Sequence, residues 1–319
     1  MNIRNNIPKG KGGGYLALGI TSIVWGTTWV ASKIALTSRP GELEIPALQM
    51  AYIRQFLAGI CFVLFFMINK KLRLPTAKQF LWLLVMAVLM FVCANALSTW
   101  SLKFIPTGLS ALIGALYPLV VVLIEMLYFK SRSLTILTFV GLLLGIAGIG
   151  IVFYENAFHQ QPAGFSFGIG LSLFAMLCWS IGTIVIARNK VDINPYYGIG
   201  WQMLISSMLL LPIAETTQKT IPISSISPIV WQVIIYLVVA GSLLAFIAFI
   251  FSMKRLPAAV ASLYAYINPL VAMITAAFLL DEKLTVYIIW GSVVTLAGVF
   301  IVNYSIKRER GKVIAEPEL

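Results

Sequence analysis

The sequence predicts an all-α integral membrane protein, with ten transmembrane helices arranged as two inverted five-helix repeats and both termini in the cytoplasm. Three observations carry this. Apolar residues make up 60% of the 319, charged ones only 11%, and mean hydropathy is +0.94, far more apolar than a water-soluble domain. The apolar residues fall into runs of spanning length, a crossing helix needing about 20 residues. The second half of the chain also repeats the first.

Breaks at charge, proline and glycine place the spans at 15–36, 46–68, 79–102, 107–129, 134–153, 165–187, 195–214, 229–252, 257–280 and 285–304. The first follows a polar, glycine-rich segment. It is full length and lacks a small-residue cleavage site, so it reads as a span rather than a cleavable signal. The second carries Arg54 among apolar residues. The third and fourth are separated by barely a turn, as are the eighth and ninth, and each turn ends in proline, Pro106 and Pro257. The fifth and tenth carry small-residue stripes, Gly141, Gly145 and Gly148 on one and Gly291 and Gly298 on the other, suited to close helix packing. Trp82, Trp231 and Trp100 near span ends fit an interfacial aromatic belt.

Basic residues set the orientation, because Lys and Arg concentrate in cytoplasmic loops. With the N-terminus inside, 17 of the 23 fall on the cytoplasmic side and four on the other, with Lys33 and Arg54 inside spans. An even number of spans then returns the C-terminus to the same side. The net charge of +12 is scattered over short loops, so it reads as a topology signal and not as a nucleic-acid surface.

The internal repeat is explicit. KFIPTGLSALIGALYPL from Lys103 aligns with KRLPAAVASLYAYINPL from Lys254 at an offset of 151, pairing Pro118 with Pro269. GLLLGIAGI from Gly141 aligns with GSVVTLAGV from Gly291, and Trp25, Gly26 and Thr27 resemble Trp179, Ser180, Gly182 and Thr183. The repeats are expected over 15–154 and 165–305, with 1–14 and 306–319 as cytoplasmic tails. Five spans per copy make them inverted, a construction that lets two similar halves exchange conformations in alternating access.

The motif WGTTWVASK from Trp25, the Arg of helix 2 in an apolar context, the proline turns before SALIGALYPL and ASLYAYINPL, the Asp281, Glu282 and Lys283 cluster, and LAG in the last helix together resemble the EamA-type branch of the drug/metabolite transporter superfamily. The resemblance runs from about residue 15 to 305. It implies a secondary transporter of the cytoplasmic membrane for amino acids or similar small metabolites, often exported. The family's acidic residue after the fourth helix of a repeat is present as Glu282, whereas the first copy has Lys130, Ser131 and Arg132.

Several intramembrane residues are candidates for the transport site. Arg54 would meet a substrate carboxylate or phosphate with its fork of donors, or pair with helix-end carbonyls, Glu42 or Glu44. Tyr117 and Asn268 are equivalent by the repeat and would oppose one another across a central pathway, with Ser110, Gly114, Ala261, Ala265 and Tyr264 on the same faces. Pro118 and Pro269 each free a carbonyl and suit hinges. Trp25 and Trp179 are deep and repeat-related, placed to stack on a substrate, while Asn95 and Gln202 are further polar candidates. Glu125 is a candidate proton carrier, or a partner for Lys130 or Arg132, and Lys33 would snorkel to the interface.

Other classes fit less well. The one histidine, His159, has no second His or Cys at ligand spacing, and no catalytic or nucleotide-binding motif is present, which argues against an enzyme, a metal site or a cofactor. Cys61, Cys93 and Cys178 lie in apolar runs and imply no disulfide framework. The partners expected are a small-molecule substrate and the lipid bilayer. A channel-like facilitator or a receptor or scaffold is the alternative, although the first would need a continuous polar ring and the second has no use for an inverted repeat.

Overall fold

The computed structural model describes residues 11–37, 40–70, 72–128, 135–157, 163–188, 191–256 and 263–315. His159, Lys130, Ser131, Arg132, Pro257 and Ala261 lie outside them. The described chain is helical: α1 (Lys11–Ala35), α2 (Ala47–Lys70), α3 (Ala77–Ser101), α4 (Thr107–Leu127), α5 (Ile136–Ala157), α6 (Phe165–Arg188), α7 (Pro195–Thr217), α8 (Pro228–Arg255), α9 (Tyr264–Leu279) and α10 (Val286–Ala315). Seven of these are long and apolar enough to cross a membrane, namely α2, α3, α4, α6, α7, α8 and the first part of α10. The apolar part of α5 (Ile136–Val152) and α9 are shorter.

Each predicted span carries a helix, with differences at several ends and one break. α1 starts at Lys11, and α10 continues to Ala315, into the segment expected to be a tail. Hydropathy marks where apolar residues stop, but Lys, Arg and Glu are good helix formers, so the α10 ladder continues past that point; the glycines that open α1 have no such propensity. α4 is broken into Thr107–Gly114 and Tyr117–Leu127. Pro118 has no N–H for the Gly114 carbonyl, and the chain passes the gap in tight turns, Leu116 N donating to Ile113 O at 3.1 Å and Leu119 N to Leu116 O at 2.9 Å. Pro269, its repeat equivalent, lies inside an unbroken α9.

α3 and α8 share an irregularity. Each widens midway into a π-helical segment, Ala87–Ala96 in α3 and Leu237–Leu244 in α8, at matching positions of the two copies. Such widening re-aims side chains and backbone groups out of the regular ladder.

Packing is reciprocal between the halves. α1 packs on α8 and α9 while α6 packs on α3 and α4; α2 packs on α7 and α8 while α7 packs on α2 and α3; α5 packs on α10. Exchanging the two copies leaves this pattern unchanged. Glycines allow the closest approaches. A Cβ on Gly148 would lie 2.6 Å from the Gly291 carbonyl oxygen and one on Gly298 would lie 2.6 Å from that of Gly141, so the stripes on α5 and α10 pack backbone to backbone. Gly59 and Gly200 do the same between α2 and α7.

Polar ties sort the helix ends onto two faces. On one, Lys33 Nζ at the end of α1 donates to the Leu102 and Ile105 carbonyls after α3. Glu282, just past α9, accepts from Thr107 N at 2.9 Å, Thr107 Oγ1 at 2.7 Å and Gly108 N at 3.4 Å, capping the N-terminus of α4, where a negative charge suits the helix dipole. Gln49 at the start of α2 exchanges hydrogen bonds of 2.6 and 2.8 Å with the backbone of Ile221 beyond α7, and Lys103 pairs with Glu44 at 2.5 Å. On the opposite face, Tyr197 donates to the Arg73 carbonyl at 3.1 Å, Gln79 donates to that of Asp192 at 2.7 Å, and Lys254 stands 5.1 Å over the Tyr196 ring.

Candidate functional site

A cavity of about 170 Å³ lies between the halves, walled by α1, α2, α3, α4, α6, α8 and α9. By the same kind of measure a single water needs only about 10–15 Å³, so the space suits a metabolite-sized solute.

Arg54 reaches this cavity from α2 and is 7% exposed. Its Nε donates to Ser242 Oγ at 3.1 Å, and Ser242 donates in turn to Leu237 O at 3.0 Å, five residues back, a bond that the π turn of α8 permits. A Cβ on Gly241 would come within 3.3 Å of Arg54 Nη2, so a glycine gives the guanidinium its place beside α8. No carboxylate among the described residues bonds Arg54, and Glu44 is held by Lys103 instead. A buried cation without a counter-ion is costly to maintain, which is the condition of a group that receives a ligand.

Next to it stands an aromatic wall. Trp25 Nε1 donates to Gly241 O at 3.1 Å, and the Trp25 ring lies 5.2 Å from Phe246, 5.1 Å from Phe249 and 5.4 Å from Tyr264. Tyr264 stacks on Tyr117 with centroids 6.3 Å apart and also meets Trp179. The two repeat-related tryptophans therefore share one wall through Tyr264. Such a surface packs flat or apolar groups.

Two asparagines add to the polar lining, which also holds serines and threonines. Asn268 Oδ1 accepts from Trp29 Nε1 at 2.9 Å, joining α9 to α1. Asn95 Oδ1 accepts from Gln55 Nε2 at 3.2 Å; Gln55 also reaches Phe91 O at 3.3 Å and receives a bond from Ser206. Asn95 lies in the π segment of α3 as Ser242 lies in that of α8, so both irregular turns deliver polar groups to the centre.

Tyr117 faces Tyr264 and Asn268 faces Trp29, so the two repeat equivalents line one cavity without opposing each other directly. Pro269 borders the cavity, whereas Pro118, Gln202 and Glu125 do not. Lys33 does not simply snorkel; it follows the cavity-lining Ser32 and ties α1 to the α3–α4 turn. Residues without a sequence signal include Phe246 and Met90. Gln55 and Ser242 are buried polar groups that a search for intramembrane hydrogen-bonding residues would have found.

The sequence profile of the EamA-like transporter family matches residues 12–154 and 166–304, nearly the whole chain in two copies. The chain belongs to the EamA-like transporter family. It is therefore a multi-pass membrane protein, as its apolar helices require. It is 24% identical over 305 residues to the uncharacterized transporter YvbV of Bacillus subtilis, covering 94% of each chain. It is 26% identical over 265 residues to the uncharacterized inner membrane transporter YedA of Escherichia coli, covering 82% of this chain and 81% of that one. Protein PecM of Dickeya dadantii is 24% identical, over 88% of this chain and 89% of its own. A solved crystal structure superposes with a TM-score of 0.62 at 14% identity, covering 92% of this chain and 97% of that one, so the fold is shared.

Proposed function

We propose that this EamA-like protein is a secondary carrier of the cytoplasmic membrane that exports an amino acid or similar small carboxylated metabolite by alternating access. The observation that carries the reading is Arg54, a buried guanidinium that faces a metabolite-sized cavity with no carboxylate bonded to it among the described residues. A guanidinium fork matches a carboxylate bidentately. In this reading ten helices cross the bilayer as two inverted repeats, 15–154 and 165–305, with both termini cytoplasmic, which the basic-residue distribution supports. The exchangeable packing of the halves supports alternation.

The test is counterflow in liposomes holding the purified chain and a mixed amino-acid and carboxylate panel. A carrier shows trans-stimulation, while a channel-like facilitator does not. Arg54→Ala is expected to abolish the flux at unchanged membrane abundance. Unaltered flux in that variant removes Arg54 from the site, and movement of another solute class without any carboxylate ends the substrate reading.

A further inference from the structure

We propose that the central cavity is a receptor for organic anions that carry no free ammonium. Their carboxylate would bind Arg54 and neighbouring amide donors, and a flat apolar body would lie against the Trp25–Tyr264–Tyr117 wall. This rests on the carrier reading above and narrows its substrate class to the carboxylated metabolites, excluding zwitterionic amino acids.

The polarity of the hydrogen bonds around the cavity leads there. An indole N–H can only donate, so the Asn268 atom facing Trp29 at 2.9 Å must be Oδ1, and Nδ2 is the amide group left for the cavity. A backbone carbonyl can only accept, so Gln55 must present Nε2 to Phe91 O. The Asn95 atom that meets the same Nε2 at 3.2 Å is then Oδ1, and Asn95 Nδ2 remains. A fixed donor, Trp29 Nε1, and a fixed acceptor, Phe91 O acting through Gln55, therefore turn two asparagine amides the same way. Gly241 O is already taken by Trp25 Nε1.

Charge points in the same direction. Among the described residues the lining holds one cation, Arg54, and no Asp or Glu. The Thr28, Ser98 and Thr99 hydroxyls give their protons to carbonyls of their own helix, at 2.7, 3.0 and 2.9 Å, and so offer neutral lone pairs only. A carboxylate in this space gains a full counter-charge and charge-assisted bonds. An ammonium finds no counter-charge and a like charge nearby. Attraction to aromatic faces is smaller than the cost of stripping an unpaired ammonium of water. The wall then selects the rest of the molecule, because its area is carbon-rich ring surface.

Three probes with one ring and chain isolate the effect: 3-phenylpropanoate, phenylalanine and phenethylammonium, titrated into the purified full-length chain. 3-Phenylpropanoate is expected to bind at least tenfold tighter than phenylalanine, with phenethylammonium weakest. Arg54→Gln should erase the preference for 3-phenylpropanoate, and because the ranking is measured on the unaltered chain, it stands even if that variant folds poorly. Equal or tighter binding of phenylalanine overturns the proposal while leaving the carrier of carboxylated metabolites intact, as does binding of phenethylammonium alongside the acids. If neither acid binds and counterflow moves only uncharged or cationic solutes, both readings fall.

Discussion

At the residue scale, single atoms have obligatory partners, and this makes the cavity's chemistry testable. Trp29 Nε1 has Asn268 Oδ1 as its acceptor in a part-buried setting. Replacing Asn268 with Leu strands that donor, at a cost of about 1–3 kcal/mol, read as a lower unfolding temperature in detergent. Adding Trp29→Phe removes the stranded donor, so the double variant is expected to lose less than the sum of the two single losses. Strict additivity would show that the bond carries no weight. Asn268→Asp retains the acceptor while adding a carboxylate, and is expected to shift preference toward ligands with an ammonium, measured with the same three probes. The sequence marked Arg54, Asn95, Tyr117, Tyr264 and Asn268 because polar or ionisable residues stand out inside apolar spans. It did not mark Phe246 or Met90, which are chemically indistinguishable from residues that face lipid.

At the element scale, close backbone approach decides which helices pair. The α5–α10 contact depends on Gly148 lying against Gly291 and Thr295, where a Cβ would come within 2.6 Å of the Gly291 carbonyl oxygen. Gly148→Val is therefore expected to force the helices apart at a cost beyond the roughly 1–3 kcal/mol usual for overpacking, and to lower folded protein in the membrane. Gly150→Ala on the same helix has nothing within 4 Å of the new Cβ and is expected to be neutral. Equal yields of the two variants would refute the packing role. The glycine pattern was legible because small residues at helical spacing have a single geometric meaning. The π segments of α3 and α8 were not, because nothing in AVLMFVCANA or LVVAGSLL departs from ordinary helix-compatible sequence. Two prolines at equivalent positions likewise suggested equal hinges, yet α4 breaks at one and α9 runs through the other.

At the scale of the whole molecule, the contacts toward the two faces differ in chemistry. The face with the α3–α4 turn is tied by Lys33 and Glu282 across α1, α3, α4 and α9. Toward the other face lies an apolar cluster of Leu18, Leu256, Tyr264 and Ala265 with Trp25 and Phe249 packed on it. In the proposed alternating-access cycle, an exchange of conformations between halves would release one set as it forms the other. Glu282→Gln weakens the cap on α4 and is expected to raise the labelling rate of a cysteine placed at Ser98, in a background without Cys61, Cys93 and Cys178, by an impermeant maleimide added outside. An unchanged or slower rate would argue that the tie is not part of the closure. A C-terminal green fluorescent fusion should fluoresce and an alkaline phosphatase fusion at the same point should be inactive; the reverse result would invert the proposed topology.

The sequence by itself determined the membrane environment, the positions of the helical segments and the twofold repetition. Each of these is written in local composition or in comparison of one stretch with another, and lipid leaves few alternatives to helices for a chain this apolar. The family followed from the same stretches. Tertiary structure decided which polar groups meet, because a bond such as Trp29 to Asn268 spans 239 positions and depends on how α1 lies against α9. It also decided the direction in which Asn95 and Asn268 turn their amides, since an amide's orientation is set by partners that neither helix supplies itself. The meeting of Arg54 with the two asparagines is held by the assembled cavity rather than by any one of its helices.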